Sequence, residues 1–74
     1  MKIFGNPVNY DLENDRIIHS VNVPTFMTDR RREELRITKD GIYYLHTDND
    51  RENEAIITMK IEIDGWIEQE EVKL

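Results

Sequence analysis

The stretch "AIITMKIEIDGWIEQEEVKL", Ala55 to Leu74, decides the fold, because it carries the clearest hydrophobic pattern in the chain. Ile57, Met59, Ile61 and Ile63 alternate with Thr58, Lys60, Glu62 and Asp64. A period of two predicts a strand with one buried face. Asp64-Gly65 follows, and Asp-Gly between two strand-like runs is a strong hairpin signal. A three-residue loop, Ile63-Asp64-Gly65, sets Ile61 opposite Ile67 and Lys60 opposite Glu68. A two-residue loop would set Ile61 opposite Glu68, a poorer cross-strand pair. The longer loop places Trp66 opposite Glu62 on the polar face, as a lid on the core or an anchor for a partner. The last strand, Trp66 to Leu74, then forms an edge.

Working outward, "ELRITKDGIYYLHT" repeats the signal at Asp40-Gly41. With Lys39-Asp40-Gly41 as the loop, Leu35 faces Leu45 and Ile37 faces Tyr43. One face is Leu35, Ile37, Tyr43 and Leu45; the other, expected to be wet, is Glu34, Arg36, Tyr44 and His46. In the N-terminal third, Val8, Tyr10 and Leu12 alternate, as do Ile17, His19, Val21 and Val23, with polar "ENDR" between them. This predicts a third hairpin, bracketed by Pro7 and Pro24, with Met1 to Phe4 as a short edge strand. "TFMTDRRREEL" is the one stretch with helical features: Thr28 as an N-cap and Asp29 in a first turn. The expected fold is a single all-β domain over residues 1–74, a small antiparallel sheet or barrel of six to seven short strands built from hairpins. The alternative is α+β with one short helix near residues 28–34.

At 74 residues the chain has a thin core, and without cysteine it has neither disulfides nor thiolate metal ligands. "MKIFGNPVNYDLE" lacks a signal-peptide apolar run, and no segment reaches the roughly 20 apolar residues that span a bilayer. A cytoplasmic location is the expectation. The formal net charge is -6 and uneven. Residues 1–27 hold two bases against three acids, 28–46 five against four, and 47–74 three against nine. An acidic C-terminal third disfavours nucleic acid and anionic membrane as partners and favours a basic protein surface.

The candidate sites are weak. "DNDRENE", Asp48 to Glu54, alternates acids, yet an EF-hand starting at Asp48 would need glycine where Asn53 stands and glutamate where Met59 stands. His19 and His46 are too few for zinc without carboxylate help. Ser20 adjoins His19, but neighbouring strand residues point to opposite faces, so no triad forms. The three glycines are scattered and build no phosphate loop. Arg30, Arg31 and Arg32 stand beside Asp29, Glu33 and Glu34 and away from the aromatics. No catalytic residue, metal or cofactor is expected.

The function predicted is therefore a non-enzymatic interaction module, an inhibitor or adaptor presenting an acidic face to a basic surface of another protein. In its sharper form the face imitates the phosphates of nucleic acid. Its residues are Tyr44, His46, Asp48, Asp50, Glu52, Glu54, Glu62, Trp66, Glu68, Glu70 and Glu71. One alternative is a structural subunit that self-assembles through edge strands as a homo-oligomer. Another is a nucleic-acid or ligand binder using the Tyr43/Tyr44 hairpin.

Overall fold

The computed structural model describes residues 1–24, 30–49 and 54–74. Five strands and one helix occur among them: β1 (Lys2–Phe4), β2 (Arg16–Pro24), β3 (Arg30–Ile37), β4 (Tyr43–Asn49), β5 (Ala55–Ile57) and α1 (Lys60–Gln69). The strands form one open sheet in the order β1-β5-β4-β3-β2. Every neighbouring pair is antiparallel except β1 and β5, which run parallel.

The central hairpin is as the sequence predicts. Leu35 opposes Leu45, Ile37 opposes Tyr43 and Glu34 opposes His46. Gly41 holds the left-handed conformation, φ 84°, that closes a three-residue loop. Its N–H donates to the Thr38 carbonyl at 2.9 Å, and the Thr38 N–H donates to the Ile42 carbonyl at 2.9 Å. The Thr38 hydroxyl oxygen accepts the N–H groups of Asp40 and Ile42. Turn chemistry and side-chain pattern agree here, so the register has little freedom.

The hairpin expected over residues 55–74 does not form; β5 ends at Ile57 and α1 begins at Lys60. A helix gathers Ile63, Trp66 and Ile67 on one face at spacings of three and four, which a strand cannot do. It buries Ile63 and Trp66 and leaves Ile61 80% exposed. Glu62 lies in the first turn, favourably placed in the helix dipole, and Lys60 pairs with Asp64 one turn on at 2.7 Å. Asp64-Gly65 is thus helix interior, and no strand edge exists at Trp66 to Leu74. The helix ends in a Schellman motif: the Val72 N–H reaches the Ile67 carbonyl at 3.0 Å and the Glu71 N–H the Glu68 carbonyl at 3.2 Å.

Other expectations also change. Residues 30–34 lie in β3 rather than in a helix, and the Thr28 cap and Asp29 lie outside the described residues. Residues 8–12 form no strand. β2 carries an irregularity between Ile17 and His19, where the extra residue is Ile18. That bulge turns Ile18 as well as His19 toward α1 and leaves Ile17 exposed on the other side. Among the described residues the result is an open five-stranded sheet with one helix, of the α+β class, and the expected barrel of six to seven strands does not appear. No helix among the described residues is long and apolar enough to cross a membrane.

The core lies between α1 and one sheet face, built on Leu35, Leu45, Ile63 and Trp66, with Ile18, Val21, Tyr43, Ile57, Ile67 and Val72 packed around them. Burying each large apolar side chain contributes roughly 1.5–3 kcal/mol. The opposite face, expected to be wet, is covered instead by the segment from Tyr10 to Asp15.

Candidate functional site

The covered face holds a buried polar network. Glu34, Arg36 and His46 are buried, and Tyr44 has no exposed surface. Strand alternation puts them on one face, and the β3–β4 register sets Glu34 beside His46 and Arg36 beside Tyr44. Glu34 Oε1 accepts from Arg36 Nε at 3.1 Å, Arg36 Nη2 at 3.0 Å and His46 Nδ1 at 2.9 Å. A carboxylate only accepts, so His46 Nδ1 is the donor in this contact. Arg36 Nη1 donates to the carbonyls of Leu12 at 3.0 Å and Asp15 at 3.2 Å. The Tyr44 hydroxyl donates to Asp15 Oδ2 at 2.7 Å, and the Tyr10 ring packs at 6.0 Å from the Tyr44 ring. These contacts fasten the N-terminal segment over the sheet.

The charges are mutually compensated. Burial pushes the Glu34 carboxyl up, but hydrogen bonds from His46 and Arg36 outweigh it and hold the group below its ordinary range. Burial, followed by the hydrogen bond to Asp15, raises the Tyr44 phenol well above its ordinary value. One atom is left over: His46 Nε2 is buried without a hydrogen-bond partner, 3.9 Å from Glu54 Oε1. Among the described residues no three His, Cys, Asp or Glu side chains are grouped to hold a metal ion. An open cleft of about 970 Å³ lies between residues 9–16 and the β3–β4 turn, with Asp11, Asp15, Arg16 and Lys39 among its walls. Its two aspartates are engaged internally: Asp15 holds Tyr44, and Asp11 accepts the N–H of Glu13 and the amide of Asn14.

The predicted site residues divide accordingly. Tyr44, His46 and Trp66 are buried and present no contact surface. Trp66 lies against the core, its ring 5.7 Å from that of His19 and its Nε1 donating to Glu33 Oε1 at 3.3 Å. The sheet face that was to expose Tyr44 and His46 is covered because Tyr10, Leu12 and Asp15 are not in a strand. Tyr43 packs against the core cluster, so the tyrosine hairpin offers no open ring pair. Asp48 is half-buried, its carboxylate 3.9 Å from Arg32. Asp50 and Glu52 lie outside the described residues. Glu54 precedes β5, and its carbonyl accepts the Lys2 N–H at 3.2 Å.

The remaining acids form a surface of a different kind from the expected strand row. Glu62 and Glu68 lie on α1, with Glu70 and Glu71 just beyond it, and all but half-buried Glu70 are exposed. Asp64, read from sequence as a turn residue, joins them on the exposed side. Glu68, Glu70 and Glu71 stand at the carbonyl end of the helix, and no basic residue occupies its last turn. The helix dipole disfavours carboxylates there. Glu71 also adopts φ 54°, the left-handed position where glycine is the usual choice. In the sequence, Glu34 opposite His46 was legible from the hairpin register, but its burial depended on the covering segment. The chain matches no known protein family, no curated protein and no solved structure.

Proposed function

We propose that the chain is a non-enzymatic protein-interaction module whose contact surface is the acidic end of α1 and the tail behind it: Glu68, Glu70 and Glu71, with Glu62 and Asp64 on the exposed side of the helix. The carrying observation is the placement of Glu68, Glu70 and Glu71 at the helix C-terminus, against the dipole and with Glu71 in a glycine conformation. Local stability opposes carboxylates at these positions, and such departures concentrate where another role is served. The partner that suits this surface is a protein with a basic patch, the class that also includes proteins that bind nucleic-acid phosphates.

The test separates binding from folding by sign. Replacing Glu68, Glu70 and Glu71 with lysine complements the dipole, so thermal stability holds or rises by several tenths of a kcal/mol. Capture of partners from lysate, identified by mass spectrometry, is expected to collapse for this variant and to weaken with salt for the parent chain. Undiminished capture of the same proteins by the lysine variant would remove this surface from the proposal.

A further inference from the structure

We propose that the chain pairs with a second copy of itself through the outer edge of β2, extending the sheet about a two-fold axis at Val21. This goes beyond the acidic-surface reading and does not depend on it.

β2 is the last strand of the sheet, and no described strand lies beyond it. Its backbone pattern follows from the hairpin. The Thr38 N–H bonds the Ile42 carbonyl, so Thr38 and, in β3, Arg36, Glu34 and Arg32 direct their backbone groups toward β4. Leu35, Glu33 and Arg31 then direct theirs toward β2, where they oppose His19, Val21 and Val23. Ser20 and Asn22 are therefore the β2 residues whose N–H and C=O groups point away from the sheet, and both are exposed. The window has firm limits. The bulge between Ile17 and His19 closes one end, and Pro24, which has no N–H, closes the other.

Proteins commonly protect an edge with charge. β1 has Lys2 and only three residues. From Ile17 to Val23, β2 has no Asp, Glu, Lys or Arg. A two-residue window gives little to a disordered peptide, which must also be ordered on binding. An already folded strand of the same shape has no such cost, and a second copy supplies one.

The self-pairing also has one register. With Val21 on the axis, Ser20 faces the second copy's Asn22, and each pair exchanges two backbone hydrogen bonds, so every outward group in the window is satisfied. Placing Ser20 against itself pushes Asn22 toward the bulge. Placing Asn22 against itself sets Ser20 opposite Pro24, which cannot donate. In the favoured register Val21 meets Val21 and His19 meets Val23 on the helix side. Ser20 meets Asn22 on the other side, and no like charges oppose.

Sedimentation velocity of the full chain from about 1 µM to 1 mM tests the pairing, with the folded state of each variant followed by circular dichroism. The parent chain is expected to pass from monomer to dimer, with slower amide exchange at Ser20 and Asn22 as it does. Ser20→Lys with Asn22→Lys sets lysine against lysine twice and raises the dissociation constant about 10-fold or more. Ser20→Lys with Asn22→Glu sets lysine against glutamate in this register and recovers the dimer. If the double-lysine chain fails to fold, Asn22→Pro serves instead, since it deletes an outward donor and leaves the inner ladder in place. A parent chain monomeric throughout the range overturns the proposal. So does a lysine–glutamate chain no tighter than the double-lysine one. Growth beyond a dimer would indicate β1-to-β2 chaining and overturns the two-fold pairing.

Discussion

Glu71 shows how much one backbone angle can say. An L-residue in the left-handed region costs roughly 1–2 kcal/mol, and glycine escapes that cost. Glu71→Gly is expected to stabilise the fold by about 0.5–1 kcal/mol, because the gain at φ 54° exceeds the added chain entropy of glycine. Differential scanning calorimetry would show a higher midpoint, and an unchanged or lower midpoint would mean the residue is not strained. None of this was visible in "EQEEVKL", where the acids read as strand positions. Gly41 was legible because local turn chemistry alone sets its conformation. Glu71 was not, because its conformation depends on the helix end it joins.

The elements themselves divide in the same way. β3 and β4 were legible because pattern and turn residues point to one register. The segment from Lys60 to Gln69 was not, because Ile57, Met59, Ile61 and Ile63 alternate while Ile63, Trp66, Ile67 and Val72 carry the core contacts. Alternation over "IITMKIEI" outweighed the helical spacing that only tertiary packing rewards. β1 depends on a glycine in a way the sequence did not announce. Gly5 has φ 110°, and a Cβ there would lie 2.5 Å from the Thr58 hydroxyl and 2.9 Å from the Met59 nitrogen. Thr58 ties this corner together, its N–H donating to the Phe4 carbonyl at 2.8 Å and its hydroxyl to the Asn6 carbonyl at 2.6 Å. Gly5→Ala is expected to cost about 2 kcal/mol or more in urea unfolding, with faster exchange of the Thr58 amide. Exchange no faster than in the parent chain would show that β1 tolerates the methyl group.

At the scale of the molecule, two buried groups make the stability of the fold depend on pH. The folded Glu34 carboxyl titrates below its unfolded value, so its contribution is present above about pH 4.3 and is lost as pH falls through the folded pKa. The folded Tyr44 phenol titrates above its unfolded value, so its contribution is present below about pH 10 and is lost as pH rises beyond that. Tyr44→Phe is expected to remove the alkaline slope of unfolding free energy while leaving the acid slope intact. Identical alkaline slopes in the two chains would place that titration elsewhere. The acidic character of the C-terminal third was legible as charge; its shape as a helix end was not. The polar hairpin face was legible in register, and its burial was not, because the alternation of Val8, Tyr10 and Leu12 in the covering segment reads as a strand. The parallel pairing of Lys2 with Ala55 bears on the order of assembly. The β3–β4 hairpin closes through a three-residue loop, whereas β1 must wait for a strand 53 residues further along the chain. Lys2 to Phe4 are thus among the last residues to find their place, and until they do, the outer edge of β5 stays open.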